Sequence, residues 1–133
     1  MSDDTSNKSI LIVDDDEFLV NMYATKFEKA GHAVETTTNS EQTLAKLREG
    51  YAPNIIVLDI IMPNIDGLEL LEIIHKENLA PGAVIIMLTN QGGDEQIEKA
   101  KELGAVGYIV KATSIPSEVV EKVTAIAAKH GAQ

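Results

Sequence analysis

The sequence contains no cysteine. This excludes disulfides and thiolate metal sites, and it fits a reducing compartment. No apolar run approaches the roughly 20 residues of a membrane-spanning helix. Met1–Lys8 is polar and acidic rather than basic and then apolar, so no secretory leader is expected and residues 1–8 read as a flexible tail. Basic residues are the minority, 11 Lys and Arg against 21 Asp and Glu, for a formal net charge of −10. Direct nucleic-acid binding needs clustered Lys and Arg on phosphates, so it is not expected. The three histidines, His32, His75 and His130, lack ligand spacing and read as structural or surface residues. Linkers and internal repeats are also missing.

What remains is a 133-residue chain, 44% apolar, with its hydrophobic residues in short blocks. That length suits one domain with a single core. Residues 9–13 form a continuous apolar run, as expected of a strand buried on both faces. From about Asp16 to Ala30, Phe18, Leu19, Met22, Tyr23 and Phe27 recur at three- and four-residue spacing, predicting a helix that stops at Gly31. Residues 33–37 predict a short, more polar edge strand, followed by a helix capped by Asn39 or Ser40 and ending at Gly50. Further strands are predicted over 55–58, 84–88 and about 107–110. Helices are predicted around Leu68–Ile74, around Ile97–Leu103 with Gly104 closing it, and from Pro116 to Lys129. Five strands alternating with five helices imply parallel βαβ units with right-handed crossovers.

Chemistry-bearing residues stand where the strands end. Asp14 and Asp15 follow the first, Asp59 the third, Thr89 the fourth and Lys111 the fifth. The C-terminal ends of parallel strands share one edge of the sheet, where α/β proteins place their ligands. Alone, Asp14–Asp16 could be a solvated loop, with Asp16 capping the helix. Asp59 argues otherwise, because an acid ending a fully apolar strand is expensive unless charged partners await it. Converging carboxylates repel one another, and a cation relieves this. Mg²⁺ suits such an oxygen-only set, bound together with waters and phosphate oxygens. A carboxylate so placed can attack phosphorus and form an aspartyl phosphate, with Lys111 and Thr89 contacting the phosphoryl oxygens.

The motifs Ile-Leu-Ile-Val-Asp-Asp-Asp-Glu (10–17), Val-Leu-Asp-Ile-Ile-Met-Pro-Asn-Ile-Asp-Gly-Leu-Glu-Leu-Leu (57–71), Met-Leu-Thr (87–89) and Gly-Tyr-Ile-Val-Lys (107–111) lie in order along the chain. Together they resemble the receiver domains of two-component response regulators, of the CheY-like single-domain type, from Lys8 to about Lys129. The resemblance implies a doubly wound, flavodoxin-like (βα)5 fold over residues 9–130, with a parallel sheet in the order 2-1-3-4-5, helices on both faces and no output domain. It implies that Asp59 is the phosphoacceptor, served by a histidine kinase or a histidine phosphotransfer protein. Asp15 and Asp59 would bind Mg²⁺ (or Mn²⁺) directly, Asp14 mainly through water, and the Ile61 backbone carbonyl would be a further ligand. Thr89 and Tyr108 match the two switch positions, and Lys111 the lysine that contacts phosphate. Switching would remodel the face of the fourth helix, fifth strand and fifth helix for a downstream target protein. The protein would be cytoplasmic. It would not be an enzyme beyond self-phosphorylation from small phosphodonors and slow self-dephosphorylation.

Two departures from the family pattern stand out. Ala112 replaces the usual proline after the lysine, which leaves a cis bond there unassured. Ile61 and Gln91 flank the site, and apolar Ile61 cannot orient an attacking water, so slow phosphate loss is expected. The first helix, through Phe18, Leu19, Met22 and Tyr23, is the expected contact for the phosphodonor, although part of that set must be core. Three other readings compete. A haloacid dehalogenase-type phosphatase would use Asp14 and Asp16, but it needs Thr or Val where Phe18 stands. A phosphorylation-independent scaffold would normally lack an acid or the lysine. A receiver cut from a longer regulator is neither demanded nor excluded by the short Gly131–Gln133 tail.

Overall fold

The computed structural model describes residues 8–89, 93–111 and 115–130. Residues 1–7, Gln91, Ala112 and Gly131–Gln133 therefore lie outside the described residues, and so does the geometry of the Lys111–Ala112 bond. The elements alternate along the chain as β1 (Ser9–Val13), α1 (Glu17–Lys29), β2 (Ala33–Thr37), α2 (Ser40–Arg48) and β3 (Ile55–Asp59). They continue with α3 (Gly67–Lys76), β4 (Val84–Thr89), α4 (Asp94–Glu102), β5 (Ala105–Val110) and α5 (Pro116–Lys129). All strand pairs are parallel, and the sheet order is β2-β1-β3-β4-β5. This is the flavodoxin-like arrangement, with the more polar β2 at one edge.

Alternation along the strands divides the core into two layers. Ile10, Ile12, Ile55, Val57, Ile86 and Leu88 face α1 and α5, where they meet Val20, Tyr23, Phe27, Val119 and Val123. Leu11, Val13, Ile56, Leu58 and Met87 face the other way, against Leu44 and Leu47 of α2, Leu70, Leu71 and Ile74 of α3, and Ala100 of α4. Local chemistry fixes the helix starts. Asp16 accepts from the Leu19 amide, Asn39 from the Gln42 amide, and Asp66 and Glu69 form a reciprocal capping box.

Two sequence expectations need correction. β5 begins at Ala105 rather than 107, because a register irregularity opposite Ile85 and Ile86 admits an extra residue and turns Val106 outward. In α1 only part of the predicted apolar stripe is core. Tyr23 and Phe27 are core, while Phe18 is 74% exposed.

At the opposite edge of the sheet from the acids, Lys8 is already buried, and its amide donates to His32 Nδ1 at 3.2 Å. The Ala33 amide returns a bond to the Lys8 carbonyl, and the His32 ring meets Phe27 edge-on. Burial, and then the nearby Lys8 charge, lower the His32 pKa from its ordinary value. The unfolded chain therefore binds a proton that the native state resists, so this site loses stability as pH falls through about 6.5. Between pH of about 7.5 and 5.5, His32→Asn is expected to lose roughly 2 °C less in melting temperature than the parent. Equal losses in the two proteins would contradict it.

Candidate phosphorylation and metal site

β1 and β3 are neighbours from which the chain winds in opposite directions, so the loops at their C-terminal ends open a crevice. Asp14 follows directly on β1 and is fully buried. Its backbone amide donates to the Thr37 carbonyl at 3.3 Å, and its Oδ1 accepts from the Asp16 amide at 2.9 Å. Asp15 is exposed at the mouth, and Asp59 is the buried last residue of β3. One oxygen from each of the three carboxylates lies within 4.8 Å of the others.

Lys111, at the end of β5, reaches across β4 to this cluster. Its Nζ stands 2.5 Å from Asp14 Oδ2 and 3.5 Å from Asp59 Oδ2, with the side chain almost wholly buried. Burial alone would lower the Lys111 pKa. The hydrogen bond to Asp14 and the charges of Asp14 and Asp59 outweigh it and hold the ammonium above its ordinary value. Asp59 moves the other way. Burial first, then the Asp14 charge, push it up to about 7, against the pull of Lys111 and of a hydrogen bond from the Ile61 amide.

The donor set fits a hard divalent cation. It consists only of oxygen ligands, and one ammonium against three carboxylates leaves two negative charges uncompensated. An octahedral ion with oxygens at about 2.1 Å spaces its ligands roughly 3.0–4.2 Å apart, so closing from 4.8 Å is a small movement. Lys111 engages Asp14 more closely than Asp59, and Asp15 is the exposed member of the three.

Thr89 is fully buried at the end of β4, in register with Val110 and one residue beyond the partner of Asp59. Tyr108 lies lower in β5, opposite Met87, half-buried against the α4-side core. Its hydroxyl is buried with no hydrogen-bond partner among the described residues, and burial raises its pKa. Asp14, Asp15, Asp59 and Lys111 thus meet in one cluster with Thr89 at the same edge, while Tyr108 sits apart.

Two neighbours of the site were not legible from residue type. A Cβ on Gly67 would stand 2.1 Å from the Asp59 carbonyl oxygen, so only glycine lets α3 start this close to the acid. Tyr23, which reads as helix stripe, is close enough for Lys111, Asp14 and Asp59 to act on its phenol, whose pKa is raised chiefly by burial.

The acidic crevice with its buried lysine lies at the switch point of a 2-1-3-4-5 sheet. The chain belongs to the response regulator receiver domain family, whose pattern matches residues 10–124. It is 38% identical over 122 residues to the alkaline phosphatase synthesis transcriptional regulatory protein PhoP of Bacillus subtilis, covering 90% of this chain and 48% of that protein. It is 36% identical over 110 residues to the chemotaxis protein CheY of Halobacterium salinarum, covering 83% and 89%. A CheY-like response regulator receiver domain protein from Methanospirillum hungatei superposes with a TM-score of 0.81 at 34% identity, over 95% of this chain and all of that one. The chain thus spans about half the length of the transcriptional regulator and most of the chemotaxis protein.

The raised pKa of Asp59 has a thermodynamic sign. The native state holds a proton that the unfolded chain has already released, so in metal-free protein Asp59 costs stability as pH rises from about 4 through about 7. Asp59→Asn, in chelator, is expected to melt roughly 3–6 °C higher than the parent at pH of about 8. That gain should shrink steadily toward pH of about 5. A variant that melts lower at both pH values would show that the carboxylate is stabilised, not strained, where it lies.

Proposed function

We propose that this chain is a phosphorylation-activated switch in which Asp59 takes a phosphoryl group from a phosphohistidine donor. The observation that carries this is the buried Asp59 carboxylate with Lys111 Nζ 3.5 Å away and two further acids beside it. An Asp59 oxygen attacks phosphorus, the P–N bond to the donor imidazole breaks, and the nitrogen leaves with a proton from solvent. Lys111, held between Asp14 and Asp59, is within reach of a phosphoryl oxygen on Asp59, and the Thr89 hydroxyl donates to another. Asp15, Asp59, the Ile61 carbonyl and, through water, Asp14 would hold Mg²⁺ (or Mn²⁺), which would neutralise charge on the phosphoryl group. Tyr108, with its hydroxyl unsatisfied, then turns inward and reshapes the surface of α4, β5 and α5 for a target protein.

The rim of the site supports a protein donor. Phe18 is 74% exposed, Ile61 61% and Ile115 61%, and they stand on the loops and helix start that follow β1, β3 and β5. Apolar side chains around a charged centre fit a docking protein better than a small phosphodonor. Of the expected α1 contacts, Tyr23 is core and drops out, and Phe18 carries the contact. We place the protein in the cytoplasm, with a histidine kinase or histidine phosphotransfer protein upstream and a protein target downstream. It is not an enzyme on external substrates. Among the described residues no helix is long and apolar enough to cross a membrane.

Incubation with acetyl phosphate and Mg²⁺ should add one phosphoryl group by intact mass, and none in Asp59→Asn or in chelator. No adduct, together with failure to bind beryllofluoride, would favour a phosphorylation-independent scaffold. With a phosphorylated histidine phosphotransfer protein as donor, Phe18→Ser should slow transfer about fivefold or more. The acetyl phosphate reaction should be unaffected, and equal slowing with both donors would remove Phe18 from the docking surface.

A further inference from the structure

The buried polar and charged residues fall into three groups. Asp14, Asp59 and Thr89 belong to the site, and Lys8 and His32 pair at the far edge of the sheet. Thr37, Ser40 and Thr43 form the third group, at the start of α2, and the phosphorylation chemistry does not use them. Buried hydroxyls of this kind are kept only where their hydrogen bonds are made. Here the bonds lead to the site from two sides.

The Thr43 hydroxyl donates to the Asn39 carbonyl at 2.9 Å, so it accepts from the Thr37 hydroxyl, 2.6 Å away. Thr37 in turn offers its carbonyl to the Asp14 amide. On the other side, the Ser40 hydroxyl donates to the Ile65 carbonyl at 2.8 Å, across 25 residues of chain. Ser40 is not needed as a cap, because Asn39 already caps α2. The segment it grips, 60–66, joins β3 to α3 and carries the Ile61 amide that bonds Asp59. One end of that segment is closed by the bond from the Gly67 amide to the Ile60 carbonyl, at 2.7 Å. Its middle contains Asn64 at φ 68°, a conformation that local preference alone does not impose. Met62 and Ile65 pack the loop onto the α2–α3 core layer, while a small cleft of about 70 Å³ lies between residues 39–41 and 63–65, where the Ser40 hydroxyl makes the crossing bond.

We propose that Ser40 is a positioning residue for the phosphorylation site, holding the 60–66 loop so that the backbone of Ile61 stays aimed at Asp59 and its cation. This rests on the function proposed above, and it adds a residue remote from the chemistry, on a different helix. Groups that orient a metal's ligands affect affinity although they never touch the ion.

The test uses Mg²⁺ alone, titrated by calorimetry into the full chain, together with amide hydrogen exchange in chelator. Ser40→Ala should weaken Mg²⁺ binding about five- to tenfold, and Ser40→Thr should restore most of it. Exchange in 61–66 should accelerate in Ser40→Ala, with β1 and β4 unchanged. Val123→Ala, a core truncation in α5, controls for general destabilisation and should leave Mg²⁺ affinity as in the parent. Affinity of Ser40→Ala within about twofold of the parent, or an equal loss in Val123→Ala, overturns the proposal. A parent that neither binds Mg²⁺ nor takes a phosphoryl group would instead sink the function itself. The exchange experiment separates the two cases, because unchanged exchange in 61–66 removes Ser40 as the loop's anchor whatever the metal does.

Discussion

Everything else in this molecule is arranged around a local shortage of positive charge. Three carboxylates meet at the junction of β1 and β3, and one lysine answers them. At about 4 Å and an effective dielectric near 20, a pair of unit charges interacts by about 4 kcal/mol. Lys111 cannot cancel that repulsion for both Asp14 and Asp59. It sits 2.5 Å from the first and 3.5 Å from the second, and burial together with the Asp14 charge drives the Asp59 pKa up in spite of it. An arrangement of this sort adds nothing to folding, since burying ions is repaid only when every partner is present. The two apolar layers of the sheet have to supply the stability that the site subtracts.

The same shortage explains why one edge can hold a switch. A site whose charges were balanced would gain little from a cation. Here a cation would meet the two uncompensated charges, and a phosphoryl group on Asp59, which adds negative charge, would make that cation and Lys111 more necessary still. The sheet turns this into a rigid frame. β3 and β4 are buried along their length and β1 from Ile10 on. Asp59 and Thr89, which end β3 and β4, and buried Asp14 next to β1 therefore cannot move apart, while Asp15 stays exposed at the mouth.

Sequence patterns make the frame legible and the loops much less so. Continuous apolar runs locate β1, β3 and β4 to within a residue, because a strand buried on both faces has no other way to look. β5 is harder, since its bulge interrupts the pairing at Val106 and hides the first two residues of the strand. In α1 the spacing predicts a stripe but not which of its members face the core, and of the expected contacts Phe18 is exposed while Tyr23 is buried. The acids, Thr89 and Lys111 are legible because each directly follows an apolar run. Ser40 is not, because a serine beside a helix start reads equally well as a cap, and the carbonyl it binds lies 25 residues away. Long-range hydrogen bonds leave no period in a sequence.

The remaining step in the proposed switch concerns how a change at Asp59 leaves the site. The most loosely held element near Tyr108 is α4. It buries Ala100 fully, its Gly93 N-cap makes no side-chain capping bond, and a cavity of about 140 Å³ lies between Ile97, Ala100 and Tyr108. On the other side of β5, Gly107 admits the Ile126 side chain so closely that a Cβ would lie 2.8 Å from its Cδ1. A wider groove of about 400 Å³ nevertheless runs along the α5 side, lined by Tyr108, Ile109, Val110, Lys122, Ala125 and Ile126. The Tyr108 ring therefore has space beside it on both flanks of β5. The Tyr108 hydroxyl has no hydrogen-bond partner among the described residues, as is also true of the Tyr51 hydroxyl. Thr89 lies in register two residues further along the same pair of strands, so in the proposed switch its engagement with a phosphoryl oxygen would be felt at Tyr108 through the β4–β5 pairing.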